Sequence, residues 1–173
     1  MNPLPDMALV RAAQLGDAAV IVDIANHYVS TSHVTFSDTA WTLASTSEWV
    51  GHRDNTDSHR MLFVVEGSEA NVVGYAYSDP YRSKDGYRYS CETTVYIAPS
   101  ALGQGLGRQL LGHLVERLRD VGAHRAYAVI ATPNEVSIAL HASIGYRRVG
   151  VMNEVGRKFD EWRSTELWEC RLR

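Results

Sequence analysis

A strand-like run, Val95 to Ile97, is followed by Gly103, Gly105 and Gly107 within five residues, and then by a long amphipathic stretch that begins at Leu106. Glycine lets a backbone approach a ligand closely and take dihedrals closed to other residues. The first N–H groups of a helix lack internal acceptors and lie at its positive end. A strand, a glycine loop and a helix start therefore make a ready anion site, best suited to a phosphate or pyrophosphate. Arg108 adds a cation at the same place. The loop is not a P-loop, which ends in Gly-Lys-Ser/Thr. Nor does Gly-Gln-Gly-Leu-Gly-Arg keep the Gly-x-Gly-x-x-Gly spacing of dinucleotide-binding folds. Three glycines alone could be a tight turn with no ligand; the strand before them and the helix after them favour the anion site.

Other residues invite chemistry less directly. Glu92 lies mid-strand, where Glu is disfavoured, on the strand face shared by Thr94 and Tyr96. It is either a carboxylate placed for a ligand or a solvated or ion-paired strand residue, and the residues alone leave the two open. Asn134 and His141 are seven residues apart, about two helical turns, so both can face one cleft. Taken singly, Asn134 reads as a helix cap and His141 as a surface or core histidine. Arg82, Lys84 and Tyr87 form a basic, aromatic cluster beside Asp85-Gly86, which suits a solvated turn or an anion pocket. Tyr87 and Glu92 differ by five, so a regular strand points them to opposite faces. Both can line one site only if the strand bulges or begins after Tyr87.

These residues need elements to hold them. Met7 to Ala12 reads as a first strand. Asp17 precedes Ile21, Ile24, Ala25, Tyr28 and Val29, which is helical spacing after an N-cap residue. Val34 to Phe36 reads as extended, and Ser45 to His52 as a weaker helix. Met61 to Val65 and Val72 to Tyr77 form a hairpin about the Gly67-Ser68 turn. Tyr87 to Ile97 is the longest strand candidate. Leu106, Leu110, Leu111, Leu114, Val115 and Leu118 mark a strong amphipathic helix stopped by Gly122. Ala126 to Ala131 is almost wholly apolar, as expected of a central strand buried on both faces. Pro133-Asn134 opens another helix closed by Gly145, and strands follow around Tyr146 to Met152 and Leu167 to Leu172. The pattern is α/β or α+β with a mixed sheet.

Composition bounds the rest. The 173 residues suit one domain, 1–173 with its core at 8–172, and 45% hydrophobic against 21% charged residues excludes disorder. A net charge of −3 gives no electrostatic footprint for nucleic acid. Cys91 and Cys170 make neither a disulfide scaffold nor a metal spacing, and the seven histidines show no His-Glu-x-x-His, so no metal is expected. No secretory leader and no apolar run of ~18 residues are present, so the reading is a cytoplasmic protein with reduced thiols and no membrane contact.

Two segments resemble one known family. Leu-Gly-Gln-Gly-Leu-Gly at 102–107 is similar to the acetyl-CoA pyrophosphate loop, Gln/Arg-x-x-Gly-x-Gly/Ala, of GCN5-related N-acetyltransferases (GNAT). The run from Asn134 through Ser137, Leu140 and His141 to Gly145-Tyr146 resembles the family's other cofactor segment. Their order, with a buried strand between, is far less expected by chance than either alone. Asn26 to Phe36, Gly74 to Tyr96 and Gly156 to Trp162 resemble the phosphinothricin acetyltransferase branch, which also acetylates methionine sulfoximine and methionine sulfone. The likeness spans about residues 8–172. Leu102 replaces the usual Gln or Arg, and Ser164 stands where the branch usually has Asp.

The resemblance implies the GNAT fold, a mixed and mostly antiparallel central sheet flanked by helices, and an N-acetyltransferase acting on acetyl-CoA. It implies that Val95, Tyr96 and Ile97 pair with the pantetheine arm, by a form of strand addition. Gly103, Gln104, Gly105, Leu106, Gly107 and Arg108 would hold the pyrophosphate, and Asn134 the arm near the thioester. Glu92 would gather and deprotonate the acceptor ammonium. His141 stands where many relatives have a Tyr that gives a proton to the departing thiolate. Phe36, Arg82, Lys84, Tyr87, Glu92 and Thr94 would bind a small amino-acid-like acceptor. Transfer would be direct, in a ternary complex, and the protein a homodimer. The alternatives are acetylation of a protein N-terminus or polyamine, or a non-catalytic CoA-binding module; Arg82 and Lys84 oppose a polyamine.

Overall fold

A computed structural model describes residues 8–67 and 69–173. The chain runs β1 (Val10–Ala12), α1 (Ala18–Thr31), α2 (Leu43–Gly51), β2 (Leu62–Glu66), β3 (Val72–Pro80), β4 (Ser90–Ile97), α3 (Leu106–Asp120), β5 (Arg125–Ala131), α4 (Glu135–Ser143), β6 (Arg147–Lys158) and β7 (Glu161–Arg171). The strands form one sheet in the order β1-β2-β3-β4-β5-β7-β6. Every neighbouring pair is antiparallel except β4 and β5.

The layers follow from alternation along the strands. In β2, Leu62 and Val64 pack with Ile21, Ile24 and Ala25 of α1 and Val50 of α2. Phe63 and Val65 point the other way and join Leu110, Leu111 and Leu114 of α3. A strand with period-two side chains, apolar on both sides, must be covered on both faces. All six apolar positions that mark α3 in the sequence are buried. The helix ends with Arg117 and Arg119 in its last turn, where they oppose the negative end of the dipole, and Gly122 takes φ +86° just beyond.

Several local expectations change. Met7 lies outside the described residues, and the first strand is only Val10–Ala12. Asp17 precedes α1, but its carboxylate makes no cap on that helix; it accepts from the Gln14 N–H at 2.7 Å and pairs with Arg11 at 2.8 Å. The β2–β3 hairpin forms, with Ser68 of its turn outside the described residues and the Gly67 N–H donating to the Asn71 carbonyl. Val34 is in a turn, Thr35 in a bend and Phe36 irregular, so 34–36 is not strand; side chains from distant elements hold it where no ladder does. The longest strand candidate begins at Ser90, since Asp85–Tyr87 is a 3₁₀ turn; Asp85-Gly86 acts there as turn residues. Of the apolar run in β5 only one face is fully buried. Val129 is 41% exposed, because its face opens on a cleft rather than on a helix.

Candidate active site

The cleft begins where the sheet divides. β4 and β5 are registered at only three positions, Ser90 with Arg125, Cys91 with Ala126 and Glu92 with Tyr127. Thr93 marks the fork: its hydroxyl donates to the Tyr127 carbonyl at 3.1 Å and meets the buried Tyr146 hydroxyl at 2.8 Å. Beyond it the strands part. Ala98 donates its N–H to the Val73 carbonyl at 2.7 Å. In a regular antiparallel ladder the backbone groups of alternate residues face opposite edges. Val95 and Ile97 therefore turn their backbone polar groups into the gap, while Tyr96 turns its own to β3. Tyr28 of α1 reaches across to donate its hydroxyl to the Ile97 carbonyl at 2.6 Å. The cleft at the fork has a volume of about 830 Å³.

At one end of the gap lies the glycine loop. Among the described residues no backbone carbonyl accepts the N–H groups of 103–107, and Gly103 and Gly105 take φ +77°. That dihedral favours glycine, and a Cβ at either position would meet nothing within 4 Å. Gly107 is different: a Cβ there would stand 3.3 Å from the Leu140 side chain of α4, a tight contact between the two helices. Five unclaimed donors at the positive end of a 15-residue helix form a cradle for an anion. Arg108 is exposed beside it and lines the cleft, as does the exposed Leu102; the Gln104 side chain turns back to the Ser100 carbonyl.

Across the gap, Asn134 caps α4 by accepting from the Ser137 N–H at 3.1 Å. Its oxygen is thus engaged, which leaves the amide NH₂ for a ligand. His141, two turns on, is buried and lines the same cleft. Its Nδ1 lies 2.8 Å from the Ser137 carbonyl, which can only accept, so the ring proton sits on Nδ1. Nε2 then carries a lone pair, and among the described residues it has no hydrogen-bond partner. Burial holds the imidazole pKa below its ordinary value, partly offset by the bond to Ser137.

Glu92 also lines the cleft, on the face shared with Thr94 and Tyr96. Burial pushes its carboxyl pKa up, and Asp79, directly opposite on β3, adds to the shift. Arg53 restrains that repulsion: its guanidinium lies 2.8 Å from Asp79 and 4.3 Å from the centre of the Trp49 ring.

The structure brings together Phe36, Glu92, Thr94, Val95, Tyr96, Ile97, Asn134, His141 and all of the loop except Gln104. Arg82, Lys84 and Tyr87 do not line the cleft. They are exposed on the β3–β4 connection, where Arg82 lies over Tyr81, and Tyr81 stacks on Tyr127 at 4.3 Å. The sequence reading missed Tyr28, Ser137 and Thr165, which line the cleft as well. Tyr28 carried a signal, since a tyrosine at an apolar helix position needs a partner for its hydroxyl. Among the described residues no group of three or more His, Cys, Asp or Glu is placed to hold a metal, and no helix is long and apolar enough to cross a membrane.

Known proteins are similar in sequence and fold. The chain is 39% identical to a phosphinothricin N-acetyltransferase of Streptomyces coelicolor over 92% of its length and 94% of the relative's. It is 34% identical to an L-methionine sulfoximine/L-methionine sulfone acetyltransferase of Salmonella typhimurium, over 94% of both. A phosphinothricin acetyltransferase of Sinorhizobium meliloti, solved in complex with acetyl-CoA, superposes with a TM-score of 0.89 at 29% identity, covering 96% of this chain and 89% of that one. The acetyltransferase (GNAT) family pattern matches residues 21–146. With the forked sheet and the glycine loop in place, the chain belongs to the acetyltransferase (GNAT) family.

Proposed function

We propose that this protein transfers acetyl from acetyl-CoA to the α-amine of a small amino-acid-like compound, such as phosphinothricin, methionine sulfoximine or methionine sulfone. The observation that carries the reading is the fork. One open cleft joins an anion cradle, two strand edges that part, a half-buried carboxylate and a buried imidazole. The cradle fits a pyrophosphate, and the gap fits an arm whose amides need strand partners. The N–H groups of 103–107 would hold the pyrophosphate, with Arg108 beside them, and the backbone of Val95 and Ile97 together with Asn134 would hold the arm. Bound there, acetyl-CoA supplies a thioester as acyl donor.

The chain's own groups manage protons and position. Glu92, ionised, gathers the acceptor ammonium and takes its proton at a carboxylate oxygen, directly or through water. His141 enters neutral with its Nε2 lone pair ready. As the C–N bond forms and the C–S bond breaks, it can take at Nε2 the proton that the acylated nitrogen sheds and pass it to the departing sulfur, rather than arriving as a preformed donor. Holding both reactants in one cleft gives direct transfer its proximity. Phe36 and Thr94 wall the acceptor; Arg82, Lys84 and Tyr87, exposed on the β3–β4 connection, take no part in that wall. We place the reaction in the cytoplasm and in a homodimer. The dimer is supported by Val149, Val151, Met152, Val155 and Trp162, all exposed on β6 and β7. A monomeric mass in sedimentation at micromolar concentration would count against it.

The test mixes purified protein with acetyl-CoA and a panel of amines and follows free thiol. Turnover with the three amino-acid analogues supports the reading. Efficient acetylation of polyamines or peptide N-termini alone overturns it. Within an active enzyme, His141→Ala is expected to lower kcat by roughly 10²-fold or more while acetyl-CoA binding persists. Unchanged turnover, with chemistry shown to be rate-limiting, would remove His141 from proton transfer.

A further inference from the structure

In the segment between α1 and α2, Val34, Thr35 and Phe36 line the cleft. The segment has no ladder to hold it. His33 Nε2 bonds the Pro133 carbonyl at 2.9 Å, and the Asn26 carboxamide brackets the backbone of Trp41. The strongest anchor comes from far away in sequence. Lys158, the last residue of β6, donates to the Ser37 carbonyl and lies 3.1 Å from an Asp38 carboxylate oxygen. Its side chain is only 1% exposed, although Asp38 is largely in solvent. Beside it, a Cβ built at Gly156 would stand 2.5 Å from the Phe36 ring, so that ring lies directly on the Gly156 backbone.

A lysine this buried costs free energy unless its ammonium is well satisfied. Nothing in the proton chemistry above uses it. Its partners lie one and two residues from Phe36. We propose that Lys158 is a positioning residue for the acceptor. Its buried ammonium pins residues 36–38 to the β6–β7 hairpin, and so sets the shape of the acceptor wall without touching the acetyl-CoA half of the cleft. The inference rests on the reading of Phe36 as an acceptor wall. It also assigns the hairpin to acceptor recognition, apart from any contact it makes with a second copy.

Three measurements on the full chain test it: acceptor KM, acetyl-CoA Kd by calorimetry, and hydrogen exchange at residues 32–40. Lys158→Met keeps the length of the side chain and removes the charge. It is expected to raise acceptor KM about 10-fold or more and to speed exchange in 32–40, with acetyl-CoA Kd changed less than about twofold. Acceptor KM and exchange both unchanged overturn the proposal. So does a parallel loss of acetyl-CoA affinity, which marks a general effect on the fold. Faster exchange with unchanged acceptor KM overturns it too, since the segment would then be pinned but would not shape the acceptor site. Should Lys158→Met not fold, Gly156→Ala decides, because its methyl group displaces the Phe36 ring. A raised acceptor KM at constant acetyl-CoA Kd supports the proposal, and an unchanged KM overturns it. If the wild type acetylates none of the amino acids, the proposed function falls by itself. Lys158 is then judged by exchange alone: faster exchange in Lys158→Met supports the clamp, and unchanged exchange overturns it.

Discussion

Glu92→Gln is expected to lower kcat/KM for the amino-acid acceptor by roughly 10²–10⁴-fold, the span that a positioned base contributes. The substitution keeps the shape of the side chain in β4 and removes only its ability to take a proton. Folding and acetyl-CoA binding should survive, because among the described residues Glu92 forms no salt bridge and its backbone stays in the ladder with Asp79. The pH profile sharpens the test. In the proposed roles Glu92 works ionised and His141 neutral, so both groups would contribute to the acid limb. Burial and Asp79 raise the pKa of Glu92 above the usual carboxylate value, and burial lowers that of His141. The carboxylate thus titrates above its ordinary value and the imidazole below its own, and activity is expected to fall as pH drops through them. Glu92→Gln should remove the carboxylate contribution and leave that of His141. An unchanged acid limb together with near-wild-type turnover would show that Glu92 is not the base.

The second large effect concerns the glycine loop. Gly105→Asp is expected to weaken acetyl-CoA binding by about 10²-fold or more, through a carboxylate set against the pyrophosphate at the start of α3. Gly105 has open space around it but a positive φ, so part of any loss comes from backbone strain. Gly105→Ala measures that part without the charge. Gly107→Asp is a poorer probe, since its Cβ would press on Leu140 and disturb the packing of α3 against α4. Calorimetry on the folded Gly105→Asp protein decides: wild-type affinity would mean that the loop does not hold the pyrophosphate.

What the sequence disclosed was what is local. The glycine loop, the six apolar positions of α3, the Asn134 cap and the cap-to-His141 spacing all lie within single elements, where period and residue type speak directly. The late start of β4 was legible as an alternative, because the parity of Tyr87 and Glu92 demanded a bulge or a later strand. Contacts across the chain left no such trace. The bond from Lys158 to the Ser37 carbonyl spans 121 residues, and that from Tyr28 to Ile97 spans 69. Each joins a side chain to a backbone atom, which any residue type can supply. Val34 to Phe36 carries strand-like residues, yet tertiary anchors decide its path. Arg82, Lys84 and Tyr87 were visible as a cluster, but their distance from the cleft lining depends on the 3₁₀ turn that carries them.

The three-residue seam between β4 and β5 bears on what stability means for this molecule. On one side of it four strands form a leaf, β1 to β4; on the other β5, β7 and β6 form a second. Past Thr93 the leaves share no ladder, so a ligand strand laid in the gap acts as a removable suture between them. A ligand bound only by the folded chain adds to folding stability by mass action, about 2.7 kcal/mol at one hundred times its Kd. If acetyl-CoA is that suture, the cohesion of the two leaves is a property of the chain and its surroundings together. It would rise and fall with the cellular supply of acyl donor, and the empty protein would be the looser of two natural forms.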